Sequence, residues 1–414
     1  MTDKVLPPGK SYIAFNLKCL TYLGNWNPWN HRRGWVYHVY TFVMLFMMSS
    51  RIHGYFVAVR ELQQDFLQQT LMLVLISTFS VGVLKHINIL WHHSDVLFLT
   101  RSLTWERSLI CSKKVALYRN ELLRKVIKFT KDLTVIWLWL VGFDLPLFYR
   151  EFLDGSHRTV DHLSISYTIF GFLLAPFNFL VVFVIDYVTF VMFVWSVILN
   201  DCVFLALMLH IAAQFEILNF RLKMCTAVDN DYQIGDEFDT NSIGTKGRDY
   251  SAPYSSPNHQ LIICIQHYQK IFGMMRVLRK IYGLILLPQL ISSTSLITFV
   301  GIHVFVTKTV NLGDPSSAGV VVLTLFSSLI QLGVYCLAGN SIIVASDLTT
   351  FAAYNCQWYR EDAAFKKKMS IFLSMSKKPM SISAIGLFEL SCVTLKNVLT
   401  KSYSAMAVLQ KSAE

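Results

Sequence analysis

Two stretches of the chain hold side chains whose types and spacing could do chemistry. His92, His93 and Asp95 stand together after an apolar run, and imidazole beside carboxylate is the minimum for a metal site or a general base. A di-iron centre would need several such histidine clusters, and no second one exists. The trio therefore reads first as polar residues at a helix end. Gly-x-Ser-x-Gly, His-Glu-x-x-His and a phosphate-cradling glycine loop are all absent, and no two of the eight cysteines form a Cys-x-x-Cys pair. Neither catalysis nor a metal or cofactor is expected.

The second stretch is the last apolar run, residues 383–410, which holds Glu389, Lys396 and Lys401. Charge at bilayer depth is costly unless it faces water or a partner. On a 3.5-residue repeat Asn397, Thr400, Ser404, Ala407 and Lys411 share one face, polar or small throughout. That face suits the wall of a narrow aqueous path. Close helix packing selects the same small residues but leaves the lysines unexplained. One face cannot enclose a pore, so several copies must surround an axis and the protein is expected to be an oligomer. Ala407 and Val408 are candidates for an apolar ring that gates by dewetting, with Ser404 and Gln410 flanking it.

The elements that carry these residues follow from composition. Hydrophobic residues make up 54% of the 414 and charged ones only 15%, against roughly 25% charged in a soluble domain. Seven runs are long enough to cross about 30 Å of hydrocarbon: 36–59, 66–89, 133–149, 163–213, 281–306, 317–344 and 383–410. The fourth exceeds one bilayer and is either a hairpin or a single helix that continues outside. Charge decides between them. With one crossing, 28 of the 37 Lys and Arg fall on the side of the N-terminus and 6 on the other; a hairpin would divide them 16 to 18. The positive-inside rule favours one crossing, with the N-terminus cytoplasmic and the C-terminus extracellular. The expected fold is an all-α polytopic membrane protein of seven transmembrane helices.

This topology accounts for the net charge of +11, through attraction to an anionic inner leaflet. The basic residues are spread over four cytoplasmic segments, which argues against nucleic acid as a partner. G-protein-coupled receptors run in the opposite sense. None of the eight cysteines falls in an extracellular loop, so no structural disulfide is expected. Pro7, Pro8, Gly9 and nearby lysines interrupt any apolar core at the start, so no cleavable signal is expected.

The chain divides into a cytoplasmic N-terminal segment (1–35), helices one to four (36–213), and a cytoplasmic loop with the start of helix five (214–280). Helices five and six with a cytoplasmic anchor (281–382) and a pore-lining last helix (383–414) complete it. Within the loop, residues 229–259 accumulate Asp, Asn, Gly, Ser and Pro and read as mobile. From Gln260 an apolar face of Ile263, Tyr268, Ile271, Met274 and Leu278 predicts that helix five starts well inside the cytoplasm.

Near the C-terminus stand Tyr335-Cys336 with Gly339, Asp347-Leu348, Tyr354 with Trp358, the basic run ending at Lys377-Lys378-Pro379, and Ser402-Tyr403-Ser404 before Leu409. This set resembles the C-terminal signature of insect odorant receptors. Ala405 and Met406 replace the aromatic residues usual after Ser-Tyr-Ser. The resemblance implies a volatile-gated cation channel, a tetramer whose last helices surround one pore, and for this chain the role of ligand-tuning subunit beside an odorant co-receptor subunit, in the plasma membrane of olfactory sensory neurons. It further implies a pocket in the outer half of the membrane among helices two, three, four and six. Those regions offer Thr78, Phe79, Phe143, Phe179, Phe183, Tyr187 and Phe326, an aromatic lining suited to a small volatile ester, alcohol or terpenoid. The contrasting reading is a membrane transporter or a membrane-embedded lipid-modifying enzyme, which the lack of internal repeats and of a second histidine cluster weakens.

Overall fold

The computed structural model describes residues 11–27, 34–61, 66–148, 179–226, 232–234, 256–306 and 315–413. The described chain is built almost wholly of helices: α1 (Ala14–Tyr22), α2 (Gly34–Glu61), α3 (Phe66–Trp91), α4 (His93–Leu103), α5 (Lys113–Phe148), α6 (Phe179–Met224), α7 (Pro257–Val306), α8 (Pro315–Asn355), α9 (Ala363–Ser376) and α10 (Cys392–Ala413). Seven of these have 22 residues or more. Among the described residues three stretches, Leu180–Met224, Pro257–Gly301 and Leu325–Arg360, are long and apolar enough by length and composition to cross a membrane. Helix α10 carries three charges, Lys396, Lys401 and Lys411.

The fourth apolar run is one continuous helix. α6 spans 46 residues, about 69 Å at 1.5 Å per residue, far more than one bilayer. It packs against α5 on one side and α8 and α7 on the other, while α3 lies between α2 and α7. The C-terminal half of α6 is sealed: Phe204, Leu207, Met208, Ile211, Phe215 and Leu218 are fully buried or nearly so. Helix α7 begins at Pro257, a residue suited to a first turn because its missing N–H has no intrahelical partner there. Ile263, Tyr268, Ile271, Met274 and Leu278 are all buried, whereas Arg276, Arg279 and Lys280 on the opposite face are exposed. Burial of an apolar side chain of this size is worth about 2 kcal/mol, so this face alone holds the early turns of α7 in place. Asp362 caps α9 by accepting the Phe365 N–H at 2.8 Å.

Several boundaries differ from the sequence expectation. Residues Ser383–Ala384 and Phe388–Glu389 form a small antiparallel hairpin, so the last helix starts only at Cys392. Gly386 at φ +75° makes the turn, a conformation that glycine adopts without strain. Glu389 therefore lies outside the last helix, where its carboxylate accepts from the Ser381 hydroxyl at 2.8 Å. Arg51, the one charge in the first apolar run, sits inside α2 and is buried against Asp186 of α6 at 2.8 Å. An ion pair explains how an arginine occupies an apolar helix. Within the loop read as mobile, Tyr232–Ile234 pairs antiparallel with Ile110–Ser112; the rest of 229–255 lies outside the described residues. The N-terminal segment holds α1, whose buried Asn16 donates to Thr134 Oγ1 of α5 at 2.8 Å.

The N-terminal contact creates a pH-sensitive joint. Tyr12 donates to Glu106 Oε1 at 2.6 Å and accepts from Arg107 Nε at 2.9 Å, with Arg119, Arg221 and the ring of His210 close by. Burial pushes the Glu106 carboxyl above its ordinary value of 4.5, against the opposing pull of the Tyr12 bond and the arginines. An acid whose folded pKa is raised binds more protons folded than unfolded, so its stabilising share is full below 4.5 and is lost as pH rises through the folded value. Hydrogen exchange of residues 11–23 should slow as pH is lowered from neutral toward 4.5, after correction for intrinsic exchange rates. Glu106→Gln should remove that dependence. An unchanged dependence in the variant would assign it to another group.

Candidate ligand and pore sites

The sequence-derived ligand residues separate into groups. Phe183 and Tyr187 lie one turn apart on α6 with rings stacked at 6.5 Å. Both pack on a buried aromatic cluster made by Phe79 of α3, Tyr55 and Met48 of α2, and Phe190 and Phe193 of α6. Phe79 is its centre, 5.2 Å from Tyr55 and 4.7 Å from Phe193. Thr78 points instead toward α7, 3.1 Å from Ser292 Oγ, and Ser77 makes a second hydroxyl contact to the same serine. Phe326 on α8 is 60% exposed and joins neither group. The side chains of Phe143 and Phe179 lie outside the described residues.

Sequence reasoning missed Arg51, Tyr55, Phe190 and Phe193. Phe183, Tyr187, Phe190 and Val194 recur at helical spacing, which marks a single face. A lone arginine in one apolar run and a lone aspartate in another are a further signal. The Arg51 guanidinium donates to Asp186 and to Thr189 Oγ1, and lies 5.1 Å from the Phe190 ring centroid. Charge, hydroxyl and ring thus meet at the border of the aromatic cluster.

A second polar cluster lies between α3, α6, α7 and α8. Asp201 accepts from Lys85 Nζ, the Tyr335 hydroxyl and Gln331 Nε2, each at 2.5 Å. A small cavity with room for about one water adjoins it, lined by Asn88, Asn200, Phe204 and Tyr282 among others. None of the ligand residues expected from sequence lines it.

The His92–Asp95 pair proves to be a brace. His92 Nδ1 lies 2.8 Å from Asp95 Oδ2, and the same oxygen takes the Lys280 ammonium of α7 at 2.8 Å. Lys280 first, then His92, hold the Asp95 carboxyl below its usual range. His93 turns away and packs on Trp26 at 4.1 Å. Among the described residues no group of three or more His, Cys, Asp or Glu could hold a metal ion.

Helix α10 packs by one narrow side. Leu395 and Val398 pack on the core and Ser402 is buried, whereas Asn397, Thr400, Ser404, Ala407 and Val408 are exposed, as are Lys396 and Lys401. The side chains of Gln410 and Lys411 lie outside the described residues. Ser404 satisfies its hydroxyl on Thr400 O at 2.9 Å. Close approach to α7 is possible because residue 301 is glycine: a Cβ there would meet Met406 Sδ at 2.1 Å. The face with pore chemistry is therefore free of its own chain.

A family model described as 7tm Odorant receptor matches residues 65–403. The chain belongs to the insect odorant receptor family. Among related odorant receptors, Odorant receptor 85c of Drosophila melanogaster is 28% identical over 158 residues, 38% of this chain and 39% of that one. Odorant receptor 67a of the same fly is 30% identical over 128 residues, covering 31% and 30%. The odorant receptor coreceptor of Harpegnathos saltator is 26% identical over 135 residues, covering 33% and 27%. These matches span less than half the length of each relative. The solved structure of olfactory receptor OR5 from Machilis hrabei in complex with eugenol aligns over 97% of this chain and 98% of its own, with TM-score 0.76 at 13% identity. A second structure of the same receptor gives 0.73. This odorant receptor therefore shares the multi-pass helical membrane fold of that protein, and its relatives are receptors, not enzymes.

Proposed function

We propose that this odorant receptor is the ligand-tuning subunit of an odorant-gated, non-selective cation channel, assembled with an odorant co-receptor subunit as a hetero-tetramer. It acts in the plasma membrane of olfactory sensory neurons, with the N-terminus cytoplasmic and the C-terminus extracellular. The observation that carries this reading is α10, a helix at the edge of the chain whose polar face and two lysines have no cover from their own subunit. Such a face within a bilayer needs water or neighbouring subunits. Copies of it around an axis would supply both, with Asn397, Thr400, Ser404 and Gln410 along the path and Ala407 and Val408 as the apolar constriction.

Residues 36–213 form the binding bundle in this reading. A small apolar volatile would lodge at the aromatic cluster, against Phe79, Phe183 and Tyr187, with Phe143 of α5, Phe179 at the start of α6, and Thr78 and Phe326 toward α7 and α8. Burial and shape would supply most of its binding energy. Opening requires the ligand to prefer the open arrangement over the closed one, and can shift the balance only by that difference.

Whole-cell recording from cells expressing this chain with and without an insect odorant co-receptor tests the proposal. Volatile esters, alcohols and terpenoids should evoke inward cation current only in the co-expressing cells, and the current should survive block of G-protein signalling. A tag showing the N-terminus outside would overturn the topology. Current that disappears with G-protein block would overturn the channel.

A further inference from the structure

The cavity between α3, α6, α7 and α8 is lined by polar atoms that nothing among the described residues satisfies. Tyr282 of α7 is 5% exposed and Asn200 of α6 3% exposed; the Tyr282 hydroxyl and Asn200 Oδ1 have no hydrogen-bond partner among the described residues. The Asn200 amide is already oriented, because its Nδ2 donates to Ser196 O at 2.7 Å, which leaves Oδ1 as the open acceptor. Lys85 Nζ donates to Asp201 at 2.5 Å and to Tyr335 at 3.5 Å; an ammonium has three donors. All four side chains, Lys85, Asn200, Asp201 and Tyr282, line the cavity, which has room for about one water.

We propose that this cavity is a built water site. One water accepts from the Tyr282 hydroxyl and the third Lys85 N–H, and donates to Asn200 Oδ1. Three polar partners are the usual number for a buried water, and each of these atoms would otherwise remain desolvated and unpaired. The water is also a polar connection from Tyr282 of α7 to the Lys85–Asp201–Tyr335 cluster. Without it Tyr282 meets the other helices there through apolar contact, its ring 4.2 Å from that of Phe204. The site thus adds a water-mediated hydrogen bond from α7 to α3 and α6 beside the direct bond of Asn88 Nδ2 to Ile281 O at 3.0 Å.

X-ray hydroxyl-radical footprinting of the purified full-length chain tests this without any channel current, and so independently of the proposed function. Bound water generates radicals in place, so Tyr282 and Tyr335, which line the cavity, should oxidise faster than Tyr12, which is about equally buried but does not line it. In Tyr282→Phe, and separately in Asn200→Leu, the oxidation of Tyr335 should fall to the Tyr12 level. The conservative Phe variant keeps the ring packing, so its folding is not at risk from a cavity. Tyr282 and Tyr335 reacting no faster than Tyr12 in the unmodified chain would overturn the proposal, as would Tyr335 oxidation that persists in both variants.

Discussion

Asp201→Leu should destabilise this odorant receptor by about 3–5 kcal/mol, the cost of leaving a buried charge without its partner. Asp201 gathers three donors, and only one of them is charged. Its removal leaves the Lys85 ammonium, 6% exposed, with the Tyr335 hydroxyl at 3.5 Å as its remaining bond to protein. Lys85→Met should be milder, because Tyr335 and Gln331 still donate to the carboxylate. The double variant Lys85→Met with Asp201→Leu should recover most of the loss, since two apolar side chains of similar length replace the pair and no charge remains buried. Detergent-solubilised thermal unfolding of the four proteins gives the cycle directly. The order of stability should be unmodified chain, then the double variant and Lys85→Met, then Asp201→Leu. A double variant no better than Asp201→Leu would mean that the carboxylate serves its hydroxyl and amide partners more than the lysine.

This cluster also shows what the sequence makes legible and where it stops. Asp186 and Asp201 are the only charges between His162 and Glu216, and the charge balance of the loops is enough to favour one long α6 over a hairpin. The cytoplasmic start of α7 is equally readable, because five apolar residues at helical spacing have no other use than burial. Pairing is not readable. Lys85 and Asp201 are 116 residues apart, and Arg51 and Asp186 135 apart; periodicity within a helix says which residues share a face, not which face of another helix it meets. The same limit separates Thr78 from Phe79. Adjacent residues on a helix point about 100° apart, so one turns to the hydroxyls of α7 and the other to the rings of α2 and α6. The last span reads too long because Ser383–Leu390 is as apolar as a helix start. Nothing in hydropathy distinguishes it from the hairpin, whose backbone finds partners in Gly283 O, bonded to Ile385 N at 3.1 Å, and within itself.

That hairpin sets the position of α10, and a single methyl group should displace it. A Cβ on Gly339 of α8 would lie 2.4 Å from Leu390 O and 2.5 Å from Leu390 Cβ. The first is a backbone atom, and Leu390 is held by its own N–H on Ile382 O at 2.8 Å and by complete burial. No rotamer change relieves the clash, so Gly339→Ala must push the backbone at 390, and with it α10 two residues later, away from α8. Overpacking of this kind costs about 1–3 kcal/mol. The functional cost should be larger than that, because the displaced element carries the exposed polar face. Odorant-evoked current should fall at least about tenfold at unchanged surface delivery, the equivalent of about 1.4 kcal/mol on the open state. Two other glycines calibrate the effect. Gly333, earlier on the same helix, has nothing within 4 Å of the place a methyl group would take, and Gly333→Ala should leave current and stability near normal. Gly301→Ala meets only the flexible end of Met406, which can swing aside, so its loss should fall between the two. Equal currents from the Gly339 and Gly333 variants would show that α10 is not positioned by its contact with α8.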